Sequence, residues 1–272
     1  MTDRYAVIGN PISHSKSPII HAAFARQTGQ DLTYEAILGP LDGFAARVRE
    51  FMGEGGKGMN VTVPFKIQAF ELAERLTERA RLAQAVNTLK FEADGGILGD
   101  NTDGIGMVRD IRDVLGVPIA GRRVLLLGAG GAARGVLLPL LDEKPACLVI
   151  ANRTQEKAQQ LAAQFADRGD VGVARFDDLG GQGFDIVINA TSASLGGEGI
   201  TLPAGAYGAG ALAYDMVYGD QPTPFMLRAR EQGAARVADG LGMLVGQAAE
   251  SFFLWRGVRP ETERVIAMLR AG

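Results

Sequence analysis

The sequence of 272 residues has few of the residue types that build disulfides and zinc centres. Its single cysteine, Cys147, excludes an internal disulfide, and one cysteine with two histidines, His14 and His21, does not give the usual zinc-ligand pattern. Cys147 lies in the apolar run at residues 147–150, which predicts a buried structural thiol and not a nucleophile. We therefore expect no metal, and the low cysteine count favours a reducing, cytoplasmic compartment.

The sequence also lacks a strong excess of either charge and any long apolar run. Its formal net charge is −3 and it has no basic stretch with interleaved aromatic residues, which argues against nucleic acid or an anionic membrane surface as a partner. No apolar run approaches the roughly 18 residues of a membrane span, and the N-terminus lacks the apolar core of a signal peptide. The remaining composition is that of a soluble globular protein. We expect a small-molecule substrate and a monomer or homodimer.

The chain does show a regular alternation of apolar, strand-like runs with helical patterns, which predicts an α/β fold with mostly parallel sheets. We expect a substrate-binding catalytic domain at residues 1–103, a Rossmann domain at residues 104–238, and C-terminal helices at residues 239–272 that pack back on the first domain. Residues 87–91 and 97–98 predict a hairpin, and Thr102 is placed to cap a helix that runs to about Leu115. Residues 124–127 predict a buried parallel strand that leads into a helix at residues 131–141.

The turn at residues 128–133 (Gly-Ala-Gly-Gly-Ala-Ala) directly follows that strand and opens that helix. It matches the pattern G-x-G-x-x-A, in which Gly128 allows the tight turn, Gly130 lets the backbone approach a pyrophosphate, and Ala133 keeps the helix close to the sheet. Free N–H groups at the start of the helix then face the phosphates. The alternative is a Gly-rich turn without a ligand. The spacing of strand, turn, helix and second strand favours dinucleotide binding.

The end of the second strand in this domain distinguishes NADP from NAD. NAD-binding domains usually place Asp or Glu there, to bind the 2′-hydroxyl group of the ribose. This chain instead has Asn152, Arg153 and Thr154, with Lys157 one helical turn further on. A guanidinium binds a 2′-phosphate through two parallel hydrogen bonds, whereas a carboxylate repels it. The sequence therefore predicts NADP. The alternative is that Thr154 only caps a helix and Arg153 is solvated.

Residues 60–66 (Asn-Val-Thr-Val-Pro-Phe-Lys) place polar side chains on one side of a predicted strand. With a period of two residues, Val61, Val63 and Phe65 share an apolar face, while Asn60 and Thr62 share the other. The alternative is an edge strand whose polar face is solvated. Residues 100–104 (Asp-Asn-Thr-Asp-Gly) carry a carboxylate at a predicted helix N-terminus, where the alternative to a catalytic role is a cap stabilised by the helix dipole.

Two serines, Ser15 and Ser17, flank Lys16 at the start of a predicted helix, and Ser17 followed by proline is a typical helix opening. They are either a pair that holds a carboxylate or one capping serine and one loop serine, and both interpretations stay open. The string Ser13-x-x-Lys16 also matches a motif of acyl-serine enzymes, which we reject because its companion motifs are missing.

Seven motifs in this order resemble those of the shikimate dehydrogenases, over nearly the whole chain. They are residues 9–18 (Gly-Asn-Pro-Ile-Ser-His-Ser-Lys-Ser-Pro), 60–66, 85–88 (Ala-Val-Asn-Thr), 101–104, 152–154, 189–192 (Asn-Ala-Thr-Ser) and 239–248 (Asp-Gly-Leu-Gly-Met-Leu-Val-Gly-Gln-Ala). The resemblance implies a two-domain enzyme that reversibly reduces 3-dehydroshikimate to shikimate with NADPH, in aromatic amino-acid biosynthesis.

The resemblance also implies the site residues. The catalytic pair would be Lys66 and Asp103. The substrate would be held by Ser15 and Ser17 at its carboxylate, by Asn60, Thr62, Asn87, Asp103 and Gln247 at its ring hydroxyls, and by Tyr218 nearby. The cofactor would be held by Gly128, Ala129, Gly130, Gly131, Ala132, Asn152, Arg153, Thr154, Lys157, Thr191, Met216 and Gly240. One departure is Lys157, where several relatives carry Arg.

These residue types also fit the chemistry. The cofactor supplies the hydride, and a charged lysine can hydrogen-bond a ketone and protonate the alkoxide that forms. Two alternatives remain: a quinate/shikimate dehydrogenase with relaxed substrate and cofactor choice, and a non-catalytic sensor that binds NADP. The sensor would not need an acid–base pair such as Lys66 and Asp103.

Overall fold

The chain forms two six-stranded sheets, one in each of two structural units. The computed structural model describes residues 2–271. The first unit runs to Gly106 and resumes at Val245, and the second comprises Met107–Leu244. The predicted two-domain α/β fold is confirmed, and the C-terminal helices belong to the first unit from Val245 onward.

The first part of the chain alternates short helices with strands. Its elements are β1 (Asp3–Gly9), α1 (Ser17–Thr28), β2 (Leu32–Leu38), α2 (Phe44–Gly53), β3 (Gly56–Val61), α3 (Lys66–Leu72), β4 (Arg75–Leu76), α4 (Glu78–Ala83), β5 (Thr88–Phe91), β6 (Ile97–Asp100) and α5 (Asp103–Arg109). A single π-helical turn, Asp110–Val114, follows α5.

The sheet of the first unit brings polar chain segments together at one end of its strands. Its strand order is β2-β1-β3-β5-β6-β4, with β1 parallel to β2 and β3, and β5 antiparallel to β3 and β6. Because β5 runs antiparallel to β3, Asn60 near the end of β3 pairs with Thr88 at the start of β5. Thr88 in turn pairs with Asp100 at the end of β6. Residues 60–66, 87–88 and 100–103 therefore meet at the same end of the strands β3, β5 and β6.

The second unit is a doubly wound parallel sheet. Its elements are β7 (Arg123–Leu127), α6 (Gly131–Asp142), β8 (Cys147–Ala151), α7 (Gln155–Ala163), β9 (Val171–Ala174), β10 (Phe184–Asn189), β11 (Tyr207–Asp215), α8 (Pro224–Glu231) and β12 (Arg236–Ala238). The chain then forms α9 (Leu241–Arg256), which leads back into the first unit, and α10 (Glu263–Ala271) of that unit. The order β12-β11-β10-β7-β8-β9 reverses direction between β7 and β10. In such sheets the ligand binds outside the carboxyl ends of the strands, at the point of reversal.

Each unit has its own apolar core. In the first, Ile8, Val48 and Phe65 are fully buried, and in the second Leu125 and Phe225 are. Complete burial of such side chains contributes about 1.5–3 kcal/mol each relative to exposure. Among residues 2–271, no helix is long and apolar enough to cross a bilayer, and no three His, Cys, Asp or Glu side chains cluster as a metal site requires.

Several local predictions are corrected by the structure. Val61 and Phe65 are buried as predicted, but Val63 is 64% exposed, because β3 ends at Val61 and the chain turns, with the Phe65 N–H donating to the Thr62 carbonyl oxygen (3.0 Å). The helix predicted to run to about Leu115 is confirmed in its extent, but it is α-helical only to Arg109 and continues as the π-helical turn to Val114. The short strands β4 and β12 were not predicted. The hairpin of β5 and β6 is confirmed.

Candidate active site

Lys66 and Asp103 form a close ion pair in the first unit. Lys66 Nζ donates to Asp103 Oδ2 at 2.6 Å, and both side chains are partly buried, with exposed fractions of 31% and 20%. Lys66 is the first residue of α3 and Asp103 the first of α5. Lys66 comes after the end of β3 and Asp103 after the end of β6, and these two strand ends lie at the same end of the sheet. The pair joins an ammonium proton donor to a carboxylate that orients it.

Asn87 holds the other oxygen of that carboxylate. Its Nδ2 donates to Asp103 Oδ1 (2.8 Å), to Thr102 Oγ1 (3.0 Å) and to Gln247 Oε1 (3.2 Å). Its Oδ1 accepts from the Thr102 N–H (2.9 Å) and from Thr88 Oγ1 (2.9 Å). Asn87 is buried, so these hydrogen bonds fix its amide plane. It therefore connects Gln247 on α9 to the Lys66–Asp103 pair.

Asn60 is hydrogen-bonded to the backbone of Asn87. It is 5% exposed, and its Nδ2 donates to the Asn87 carbonyl oxygen (3.2 Å), Thr88 Oγ1 (3.1 Å) and Ser251 Oγ (2.9 Å). Its Oδ1 accepts from Tyr34 Oη (2.8 Å). Each polar atom of this side chain already has a protein partner. A direct contact with substrate stays a prediction, and the geometry favours a role in positioning Asn87.

The two serines lie at the start of α1. Ser17 is the first residue of that helix and is buried, while the capping position is occupied by Lys16, whose side chain makes no capping hydrogen bond. The prediction that Ser17 caps the helix is therefore wrong, because the helix begins one residue earlier than expected. Ser15 Oγ instead accepts from the Ser17 N–H (3.3 Å). Thr62 follows β3 directly and is partly exposed.

The turn predicted to bind the pyrophosphate lies between β7 and α6 in the second unit. Gly128 has φ of +109°, a conformation that favours glycine, and a Cβ there would lie 3.2 Å from the Ala190 carbonyl oxygen. Gly130 and Gly131, with Ala129 and Ala132 beside them, border open space: a Cβ added at either glycine would meet no atom within 4 Å. The N–H groups of the first helical turn have no intrahelical acceptors. This open turn with free donors fits a pyrophosphate.

The residues predicted to bind the 2′-phosphate follow β8. Arg153 and Lys157 are exposed, and within residues 2–271 neither has a carboxylate within 4.0 Å. Thr154 occupies the capping position of α7 as predicted, but its hydroxyl makes no capping hydrogen bond. Asn152 Nδ2 donates to the Thr154 carbonyl oxygen (2.8 Å), which orders this loop. Two cations without a carboxylate partner fit a phosphate.

Three further predicted cofactor residues, Thr191, Met216 and Gly240, follow the carboxyl ends of β10, β11 and β12 respectively. Asn189 connects two of them: its Oδ1 accepts from Thr191 N–H (3.0 Å) and Oγ1 (2.7 Å), and its carbonyl oxygen accepts from the Met216 N–H (3.0 Å). A Cβ at Gly240 would lie 2.2 Å from the Met216 carbonyl oxygen, so only glycine fits there. We call Thr191, Met216 and Gly240 the platform. Tyr218, predicted near the substrate, follows β11 in the same unit and is 37% exposed.

Sequence reasoning missed several residues of these networks. Ser251 and Tyr34 were not singled out, while Thr88 was quoted only within a motif and Thr102 was predicted only as a helix cap. Ser251 is four residues after Gln247 on α9, and this helical spacing could have placed it on the same face. No local pattern marks Tyr34, which lies on β2.

Comparison with known proteins follows the same division of the chain. Residues 7–89 match the model of the shikimate dehydrogenase substrate-binding domain, residues 112–196 that of shikimate / quinate 5-dehydrogenase, and residues 240–270 that of the shikimate 5′-dehydrogenase C-terminal domain. The chain is 64% identical to shikimate dehydrogenase (NADP(+)) of Nitrosospira multiformis, over 100% of this chain and 98% of that protein.

Two solved structures are similar over nearly the full length. The Ael1 enzyme from Pseudomonas putida is 57% identical with a TM-score of 0.91, covering 98% of each chain. Shikimate 5-dehydrogenase from Thermus thermophilus, in complex with NADP(H) and shikimate, is 30% identical with a TM-score of 0.87, covering 99% of each chain.

Proposed function

Because this chain belongs to the shikimate dehydrogenase family, we propose that it is an NADP-dependent oxidoreductase that interconverts 3-dehydroshikimate and shikimate. The observation that carries the proposal is the Lys66–Asp103 ion pair, held by Asn87 in a chain that also has an open dinucleotide turn. A non-catalytic sensor of NADP would not need a proton donor oriented in this way.

The cofactor, when bound, supplies or accepts the hydride. The turn at residues 128–132 would hold its pyrophosphate, Arg153 and Lys157 its 2′-phosphate with Asn152 and Thr154 beside them, and the platform its nicotinamide end. The chain's own residues perform the rest of the reaction. Ser15 and Ser17 would bind the carboxylate of the substrate, while Thr62, Asn87 and Gln247, with Tyr218 nearby, would fix its hydroxyls.

Lys66 handles the proton. In the reductive direction, its ammonium hydrogen-bonds the ketone and gives a proton to the oxygen as the carbon receives hydride. In the oxidative direction, the neutral amine takes the hydroxyl proton back. Asp103 holds the Lys66 nitrogen in place, because both of its carboxylate oxygens are already bonded.

Substitution of Lys66 by methionine tests this assignment. Lys66→Met keeps the length of the side chain and removes the proton, so we expect kcat for shikimate oxidation to fall at least ~100-fold, the scale of lost general acid–base help. The Kd of NADPH, measured by fluorescence titration, should be unchanged. Lys57→Met is the matched control: it makes the same substitution at an exposed lysine on β3, the strand that precedes Lys66, and it should keep the wild-type kcat. A Lys66→Met protein that turns over normally, or that mainly loses NADPH affinity, contradicts the proposed role.

Two further proposals come from the sequence. The single cysteine supports a reducing, cytoplasmic location, and a two-unit chain with a core in each unit supports a monomer or homodimer. Fractionation of the source cells and sedimentation of the purified chain test these two points.

A further inference from the structure

Asp215 is a fully buried carboxylate at the end of β11, and its exposed fraction is 0%. Its Oδ1 accepts from Asn189 Nδ2 (3.0 Å) and from the Val217 N–H (3.1 Å). Its Oδ2 accepts from Ser194 Oγ (2.6 Å) and from Thr223 Oγ1 (2.6 Å). Within residues 2–271, no lysine, arginine or histidine nitrogen lies within 4.0 Å of it. The carboxylate is therefore held by four neutral donors and by no cation.

These four donors come from separate chain segments. Asn189 ends β10, Ser194 lies in the short 3-10 helix Ala193–Gly196, Val217 follows β11, and Thr223 caps α8. Thr223 Oγ1 also accepts from the Met226 N–H (3.3 Å), so the carboxylate fixes the start of that helix as well. Burial raises the pKa of Asp215, and the hydrogen bonds from Ser194, Thr223, Val217 and Asn189 act against this shift. A single side chain thus orders the loops after two neighbouring strands.

The same loops carry the platform. Asp215 binds the amide nitrogen of Asn189, and this leaves the amide oxygen of Asn189 facing both donors of Thr191. A neutral group in place of this carboxylate would accept from Asn189 more weakly and would hold its amide less firmly in this orientation. The Val217 N–H anchors the chain directly after Met216, and the Gly240 N–H donates to the Val217 carbonyl oxygen (3.1 Å). All three platform residues therefore depend on one carboxylate.

We propose that Asp215 is a positioning residue for the nicotinamide half of the cofactor: it acts through Asn189 and Val217 to place Thr191, Met216 and Gly240. This inference rests on the proposed function, because it assumes that NADP binds at the turn after β7. The 2′-phosphate loop after β8 makes no contact with Asp215 in this network. The two halves of the cofactor should therefore respond differently to a change at Asp215.

Calorimetric titration with two ligands measures the binding of the two halves of the cofactor separately. NADP⁺ contains the nicotinamide, whereas adenosine 2′,5′-bisphosphate keeps the adenosine and 2′-phosphate and lacks it. In Asp215→Asn, we expect the Kd of NADP⁺ to rise about tenfold, the scale of one lost hydrogen bond to a charged group, and the Kd of the bisphosphate to change less than about twofold. Asp185→Asn makes the same substitution near the opposite, amino end of β10 and should leave both Kd values unchanged.

A second variant covers the case in which Asp215→Asn does not fold. Ser194→Ala keeps the carboxylate and removes one donor, so the Kd of NADP⁺ should rise about threefold while that of the bisphosphate stays constant. Equal losses for both ligands, or no loss for either, in the variant that folds would overturn the inference. If the wild-type chain binds neither ligand, the proposed function fails together with it. If the wild-type chain binds both and oxidises shikimate, the variants alone decide the role of Asp215.

Discussion

At the scale of single residues, the two histidines occupy opposite environments. His21 is 1% exposed and stacks on Tyr34, with ring centroids 4.1 Å apart and an angle of 6° between the planes. Burial lowers the pKa of His21 to about 3. His14 is exposed. A histidine that stays neutral in the folded state links stability to pH, because its imidazole is protonated near pH 6.5 in the unfolded chain and stays unprotonated at that pH in the folded chain.

The sign of this linkage is a loss of stability in acid. The contribution of neutral His21 is fully present above about pH 6.5 and falls by about 1.4 kcal/mol for each pH unit below it, down to the folded pKa near 3. His21→Phe keeps an aromatic ring against Tyr34 and removes the titrating group. We expect its free energy of unfolding to fall between pH 7 and pH 4.5 by about 2–3 kcal/mol less than that of the wild-type chain. Urea unfolding at both pH values measures this, and His14→Gln is the control. Parallel losses in wild type and His21→Phe would contradict the argument.

Arg153 determines the choice of cofactor in this account. Arg153→Ala removes the guanidinium proposed to pair with the 2′-phosphate, so kcat/KM with NADP⁺ should fall about 10–100-fold, the scale of charge-assisted hydrogen bonds, while the value with NAD⁺ changes little. Arg122→Ala, at the amino end of the same sheet, should change neither. Equal losses with both cofactors would remove Arg153 from the phosphate site.

At the scale of elements, glycines let α5 approach α9 closely. A Cβ at Gly106 would lie 2.4 Å from the Gln247 backbone nitrogen, and one at Gly246 would lie 2.7 Å from the Gly106 carbonyl oxygen. Both obstacles are backbone atoms, which do not rotate away. This crossing therefore fixes Gln247 relative to the helix that begins at Asp103.

Gly106→Ala tests this contact. Because the added methyl group overlaps the backbone of α9, we expect unfolding free energy to fall by about 1–3 kcal/mol and KM for shikimate to rise. Gly53→Ala is the matched control, since that residue ends α2 and has no atom within 4 Å of an added Cβ. It should be neutral or stabilise by about 0.4–1 kcal/mol. Equal effects of the two substitutions in denaturant melts would show that the crossing is not close.

The sequence predicted the elements whose signals are local, and missed those that depend on distant partners. The strand, turn and helix at residues 124–141 were predicted because an apolar run and a glycine turn adjoin in the chain. The bond from Tyr34 to Asn60 joins residues 26 positions apart, and that from Asn60 to Ser251 joins residues 191 apart. No periodicity encodes such pairs. Val63 was misplaced because a strand period was extended past the end of β3.

At the scale of the whole molecule, the chain divides its tasks between the two units. The Lys66–Asp103 pair and the Asn87 network belong to the first unit, and the nucleotide turn, Arg153 and the platform belong to the second. Under the proposed function, the reaction needs residues of both. A binding protein for NADP would use the second set alone.

The most direct measurement is a steady-state assay of the purified chain with shikimate or quinate, each with NADP⁺ or NAD⁺. We predict the highest kcat/KM for shikimate with NADP⁺, at least about tenfold above every other pair, the factor given by 1.4 kcal/mol of differential binding. Comparable values for quinate or for NAD⁺ would identify an enzyme with relaxed choice. Absence of turnover with all four pairs, in a chain that still binds NADP⁺, would contradict the account.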